Sequence, residues 1–245
     1  ATDTIPVLVT AVTDPAYAGL VASNEAPGGN VSGTSDMNPV EDQLELMLKL
    51  APETKTVGIL YNAGEDNSIL QADLAEEVLT AKNIAVERFP ASDTSQVQSV
   101  AQSMVGKVDA VYIPTDNLMA DTMATISMVL TPAGIPTVCG EGNMVTSGGL
   151  ATYGFSYEAL GRQTAEQAVL PIRSPALDVQ LFLNKGHGDM ETFGDFPGAA
   201  FADAFGPRPV YEVGPVQTNH ALGHHACGAM LAQVRKLAGK ILGLP

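Results

Sequence analysis

The 245-residue chain has no tryptophan, only two cysteines (Cys139 and Cys227) and an aromatic content of 5%. Two cysteines exclude a disulfide-built scaffold, and no CxxC pair is present for a structural zinc or a dithiol redox site. So few aromatic rings argue against a base-stacking surface for single-stranded nucleic acid. Positive charge is scarce as well: 12 Lys+Arg stand against 27 Asp+Glu, a formal charge of −15. Nucleic acid and anionic membrane surfaces are therefore not expected partners. No apolar run approaches the roughly 18–20 residues that span a bilayer as a helix. The opening Ala1-Thr2-Asp3 carries no basic segment followed by an apolar one, so the expectation is a cytosolic chain or a processed mature form. GxxxxGK[ST], GxGxxG, HExxH and GxSxG are all absent. No cofactor, no metal and no catalytic residue is expected.

What the chain does have is a rhythm. A short apolar strand ends in a polar, turn-rich loop, a helical stretch follows, and the pattern repeats over residues 5–160. Ile5–Thr10 (IPVLVT) and Thr56–Tyr61 (TVGILY) are continuous apolar runs, as expected of strands covered on both faces. Val31–Ser35, Ala85–Phe89, Ala110–Ile113, Ile135–Cys139 and Leu150–Phe155 are the other expected strands. Helices are expected over Ala16–Ser23, Val40–Leu50, Ser68–Asn83, Thr94–Val105, Leu118–Leu130 and Tyr157–Leu170, the last stopped by Pro171. Asn38-Pro39 reads as a cap and first position for the second of these. Leu70, Leu74, Val78 and Leu79 form the expected apolar stripe of the third, and Met119, Met123 and Met128 read as core filler. From Pro171 the texture changes: Pro and Gly become dense, with short strands expected at Val179–Leu183 and Val210–Val213 and helix over 219–242. Strands alternating with helices argue for an α/β fold with doubly wound parallel sheets.

Such a sheet binds ligands outside the carboxyl ends of its strands, so the loops there describe the ligand. They are Thr13-Asp14-Pro15, Thr34-Ser35-Asp36, Tyr61–Ser68, Pro114-Thr115-Asp116-Asn117 and Gly140-Glu141-Gly142-Asn143. They offer hydroxyls, amides and carboxylates with almost no basic charge, which suits a small zwitterion better than a phosphate. Asp116 and Glu141 are candidate acceptors for an ammonium group, with Thr115 and Asn117 orienting it. Asp116 is equally placed to cap the next helix. Thr13, Asn62, Asn67, Ser68 and nearby backbone N–H groups are candidates for a carboxylate, and Asn67 or Ser68 could instead cap their helix. Asp14 before Pro15 suits a helix start or the crevice. Tyr61 and Tyr157 are the candidate aromatics for packing a ligand side chain. His220, His224, His225 and Cys227 have the one metal-like spacing, and solvated or core-edge histidines are the default reading.

Four stretches carry a family resemblance in order: VTAVTDPAYAGLVASNEAPGGNVSGTSDMNPVEDQLELM, KTVGILYNAGEDNS, VDAVYIPTDN and IPTVCGEGNMVTSGGLATYGFSYEALGRQTAEQA. Together these resemble the tryptophan/aromatic-amino-acid type of ABC-transporter solute-binding protein, over about residues 3–168. The resemblance implies a type I periplasmic-binding fold: two doubly wound α/β lobes joined by a hinge, with the ligand trapped between them. It also implies a periplasmic or extracellular location and delivery of the ligand to an ABC permease. Strand–helix units that such proteins carry before the segment matching Ile5 are missing at the front, which suggests a permuted or rearranged chain. The expected division is then 1–36 with 171–245 as the first lobe and 37–170 as the second. Gln217 and Thr218 would fall in a crevice loop of the first lobe. Foreign sequence in 171–245 is the alternative.

The expected function is therefore an extracytoplasmic receptor, not an enzyme. It would capture an amino acid-like ligand with an aromatic or apolar side chain, act as a monomer, and have no nucleic-acid partner. An enzyme using crevice carboxylates on the same scaffold, or a ligand-sensing or interaction domain, is the alternative, because fold alone does not decide function.

Overall fold

A computed structural model describes residues 3–173 and 189–192. The expected strands at 179–183 and 210–213, the helix over 219–242, the histidine cluster with Cys227, and Gln217 and Thr218 lie outside the described residues.

The first strand, β1 (Val7–Val12), pairs in parallel with β2 (Val31–Ser35). It is not buried on both faces as its composition suggested: Val7 is 38% exposed and the rest of the strand is half-buried, while Ile5 lies before its start and is 63% exposed. Among the described residues β1 has one hydrogen-bonded neighbour, in a two-stranded sheet. Gly33 is required here, because its φ is +152° and a Cβ would stand 1.9 Å from the Val9 carbonyl oxygen. The expected helix at 16–23 is a series of turns instead. Asp14 Oδ1 accepts from the backbone N–H groups of Ala16 and Tyr17 and from the Asn24 amide. A short carboxylate side chain that satisfies local N–H groups competes with helix propagation, and Gly19 follows at φ +69°.

The remainder is a sheet with helices on both faces. The elements run α1 (Val40–Leu50), β3 (Thr56–Asn62), α2 (Asp66–Ala81), β4 (Ala85–Ala91), α3 (Thr94–Met104), β5 (Ala110–Ile113), α4 (Asn117–Leu130), β6 (Thr137–Cys139), α5 (Gly142–Thr146), β7 (Ala151–Gly154), α6 (Tyr157–Arg173) and β8 (Asp189–Thr192). Strand order is β4-β3-β5-β6-β7-β8. The first five strands are parallel, while β8 runs antiparallel to β7 at one edge. Pro90 sits in β4, the other edge strand, where a missing N–H costs no ladder bond.

Strand alternation divides the core. Leu60, Val111 and Ile113 face α3 and α4, meeting Val97, Met104, Met119, Met123, Ile126 and Leu130. Val57, Ile59, Tyr61 and Tyr112 face α1 and α2, meeting Leu44, Met47, Ala72, Ala75 and Leu79. Each large apolar side chain fully buried in this way contributes roughly 1.5–3 kcal/mol. Two expected stripes are corrected. The buried face of α2 is Ser68, Gln71, Ala72, Ala75 and Leu79, because small residues let the helix lie close to the sheet; Leu70, Leu74 and Val78 flank it half-buried. Met128 falls out of register with the buried 119, 123, 126 and 130 positions and is 70% exposed.

Two helix ends also differ from expectation. Asn38 does not cap α1; Pro39 holds the cap position, and the Asn38 amide donates to the Thr115 hydroxyl. A side chain engaged across the fold is unavailable to its own helix. Helix α6 continues through Pro171 to Arg173, so the proline does not stop the helix but falls in its last turn, with Ile172 and Arg173 following it. This helix packs on β1 and β2, where the Thr164 hydroxyl lies 2.6 Å from that of Thr34 and donates to that of Thr10 at 2.9 Å.

Candidate functional site

Parallel strands put the loops after β3, β5 and β6 on one side of the large sheet. The strand order reverses direction between β3 and β5, the point where the crevice of an open α/β sheet forms. Thr13 and Asp36, after β1 and β2, and Tyr157, at the start of α6, come to the same region.

The centre of the site is an acidic cluster. Asp36 is 4% exposed, and its Oδ2 accepts from the Tyr157 hydroxyl at 3.4 Å. Its other oxygen, Oδ1, is buried and has no hydrogen-bond partner among the described residues. Burial raises the Asp36 pKa above the ordinary carboxylate value, opposed by the Thr13 and Tyr157 side chains. Glu141 sits at the cap position of α5, and Asn143 Nδ2 donates to its Oε2 at 3.0 Å. Burial pushes the Glu141 carboxyl up to about 7; Asn143 opposes the rise and the charge of Asp36 adds to it. The Tyr157 hydroxyl is raised too, first by burial and then by the charges of Asp36 and Glu141, so it stays a neutral donor. Its ring meets Phe155 edge-on, with centroids 5.5 Å apart. A buried Asp36 carboxylate with one oxygen unpartnered among the described residues, beside the half-buried Glu141 carboxyl, is an unfavourable arrangement that a cation relieves. Among the described residues no group of His, Cys, Asp and Glu has the makings of a metal site.

The loops after β3 and β5 are cross-linked into a frame. Asp116 caps α4, with Oδ1 accepting from Met119 N at 2.9 Å and Oδ2 from Asn62 N at 2.6 Å. Glu65 accepts from the backbone and side-chain amides of Asn117 and from Asn62 Nδ2. The Thr115 carbonyl receives Asn67 Nδ2 at 3.0 Å and Ser68 Oγ at 3.3 Å. Neither Asn67 nor Ser68 caps α2, which begins at Asp66 after Glu65.

The sequence-derived candidates thus fall into three places. Thr13, Glu141 and Tyr157 come together around Asp36. Asn62, Asn67, Ser68, Thr115, Asp116 and Asn117 form the frame beside it, with their polar groups largely engaged with one another. Tyr61 lies in the core facing α1 and α2, 8% exposed, with the Arg88 guanidinium 5.9 Å from its ring centroid. Asp14 closes the turn after β1. Asp36 was not singled out by sequence reasoning, although it occupies the first position after β2. That position was its one legible signal.

An acidic cluster at the carboxyl ends of parallel strands, on a two-sheet α/β frame, is the candidate site of a solute-binding protein. The chain belongs to the family of ABC transporter substrate binding proteins, whose family model matches residues 1–173. It is 44% identical over 169 residues to a tyrosine-binding protein of Clostridioides difficile (strain R20291), a match covering 69% of this chain and 49% of that protein. The chain therefore spans about half the length of that relative. Among solved structures it is similar to an ABC domain from Streptococcus pneumonia in complex with L-Trp, at 33% identity and a TM-score of 0.70, covering 78% of this chain and 66% of that one. It is also similar to the ligand-free, open form of a substrate binding protein with adhesive properties from Clostridium difficile, at 39% identity and a TM-score of 0.65, covering 78% and 64%. The fold is that of the type I periplasmic-binding proteins, and the family consists of ligand-binding proteins rather than enzymes.

Proposed function

We propose that the protein is an extracytoplasmic receptor for an amino acid with an aromatic or apolar side chain, which it delivers to an ABC permease. The observation that carries this reading is Asp36: a buried carboxylate whose Oδ1 has no partner among the described residues, beside Tyr157 and Glu141. An α-ammonium group supplies the missing charge and donors. Asp36 and Glu141 hold it, Thr13 and Tyr157 orient it, and Phe155 with Tyr157 offers an apolar wall. In this reading the frame of Asn62, Asn67, Ser68, Thr115, Asp116 and Asn117 bounds the crevice, its backbone N–H groups at Asn62, Ser68, Thr115 and Asn117 being already engaged within the protein. Asp116 moves from ammonium acceptor to part of that frame, because both its oxygens already accept backbone N–H groups. The names of the similar proteins, one tyrosine-binding and one complexed with L-Trp, support the same ligand class.

The lobes in this proposal depart from the expected 1–36 with 171–245 and 37–170: β1 and β2 are grouped with α6, which packs on them, and β8 is grouped with the large sheet and α1 to α5. Contacts from both lobes to one ligand favour the closed arrangement. The receptor acts as a monomer. A thermal-shift screen of the protein against the twenty amino acids tests the reading. Ligand at a hundred times its Kd stabilises by about 2.7 kcal/mol, so tyrosine, tryptophan or their apolar neighbours should raise the Tm by several degrees while aspartate and glutamate do not. A cooperative melt unmoved by every amino acid overturns it.

A further inference from the structure

Gln43 lies on α1, outside the cluster of Asp36, Glu141 and Tyr157, yet it is fully buried and its side-chain amide is fully engaged. Its Nε2 donates to the Tyr153 carbonyl at 2.8 Å and to the Gly140 carbonyl at 3.3 Å. Its Oε1 accepts from the Tyr112 hydroxyl at 2.8 Å. Tyr112 is itself wholly buried, and burial raises its pKa, so it is a permanent donor that fixes which way the amide points.

The place of these bonds is informative. Pairing between β6 and β7 ends at Cys139 and Thr152. Gln43 takes hold of the next residue on each strand, Gly140 and Tyr153, where the two chains part. Gly140 leads directly into Glu141; Tyr153 leads through Gly154 and Phe155 to Tyr157. The fit is close on both sides. A Cβ on Gly140 would lie 2.3 Å from Thr115 N, and one on Gly154 would lie 2.9 Å from Asn38 Oδ1. Neither segment has room to drift as long as the amide holds its carbonyls.

We propose that Gln43 is a positioning residue for the ligand site: it bridges β6 and β7 beyond the end of their ladder and so sets the separation of Glu141 from Tyr157. It does not touch the ligand. Leucine or methionine would fill the same volume, but each would take the donor from the buried Gly140 carbonyl and the part-buried Tyr153 carbonyl and the acceptor from the buried Tyr112 hydroxyl. Glutamate would set acceptors against acceptors. Glutamine meets all three demands. The inference rests on the receptor reading for the purpose of the site, and its test is independent of any ligand.

The test follows the Glu141 carboxyl by carbon NMR, its resonance assigned by its loss in E141Q. In the unmodified protein burial pushes this group up to about 7. In Q43M, shown folded by a cooperative melt, the separated segments admit water, and the midpoint should fall by a full pH unit or more towards the ordinary carboxylate value. An unchanged Glu141 midpoint in folded Q43M overturns the proposal, whatever the affinity for amino acids does. If Q43M does not fold, Y112F serves with the same readout: the amide keeps both carbonyls but loses its orienting donor. A lowered midpoint supports the proposal there, and an unmoved one overturns it. Failure of the receptor reading would register elsewhere, as a lack of amino acid binding by the unmodified protein.

Discussion

Asp36→Asn should reduce affinity for an amino acid ligand about a hundredfold or more, while making the ligand-free protein more stable at pH 8. The substitution keeps size and shape and removes the charge. Breaking a buried ion pair by taking away one partner costs about 3–5 kcal/mol, and every 1.4 kcal/mol is about tenfold in Kd. The ligand's ammonium group would then enter a cleft with Glu141 as its one remaining counter-charge. Stability moves the other way. Asp36 has its pKa raised in the folded protein by burial, so the folded state holds its proton more tightly than the unfolded chain. That contribution is fully present below the unfolded value, near 4, and is lost as pH rises through the folded value. At pH 8 the unmodified protein carries the whole burden of a buried, half-partnered carboxylate, and asparagine removes it. Calorimetric titration and thermal melts at pH 8 check the two halves separately. Undiminished binding in D36N would take Asp36 out of the site. Loss of binding together with a lowered Tm would mean that Asp36 serves the fold instead.

The second large effect concerns protons. With burial pushing the Glu141 carboxyl up to about 7, the ligand-free protein should hold both charged and neutral forms of this carboxyl at neutral pH. An ammonium ligand selects the charged form, so binding below pH 7 expels a proton and weakens as the solution becomes more acidic. For one group with a midpoint near 7, affinity should fall about tenfold between pH 8 and pH 6, and titrations at pH 6 in buffers of different ionisation enthalpy should show close to one proton released. The ligand's own ammonium group stays charged over this interval and does not obscure the effect. In E141Q the pH dependence should flatten and the affinity at pH 8 should drop, since the amide offers the ammonium dipole and not charge. A pH profile that survives E141Q would assign the proton to another group, with Asp36 next in line.

Much of this site could be read from the residues, for a physical reason. Apolar runs such as Thr56–Tyr61 and Ala110–Ile113 specify parallel strands, and parallel strands put their carboxyl-terminal loops on one side. The placement of Glu141 and Tyr157 at this end of the sheet was legible because they come within a few residues of the ends of such runs. Asp36 follows one too, but in a chain with 27 acidic residues a carboxylate after a short strand carries little information until its burial is known. Asp116 is the counterpart: the same sequence signal marks a helix cap whose two oxygens are both taken by backbone N–H groups. Gln43 gave no signal at all. Its function depends on two strands parting beyond the end of their pairing, which is a property of the assembled sheet and not of any local pattern. Tyr61 was misplaced as a surface of the crevice for a related reason: alternation along β3 sends it to the face covered by α1 and α2, and a continuous apolar run does not reveal which of its residues faces which layer.

The ammonium at Asp36 and Glu141 is the centre of this description, and a pair of ligands isolates it. Calorimetric titration of the protein with L-tyrosine is compared with 3-(4-hydroxyphenyl)propionate, the same molecule without its amino group. L-tyrosine should bind, and the deaminated acid should bind at least a hundredfold more weakly, because it brings a carboxylate and no cation to a buried acidic cleft. Equal affinity for the two, or tighter binding of the deaminated acid, would contradict the assignment of Asp36 and Glu141 as the ammonium site.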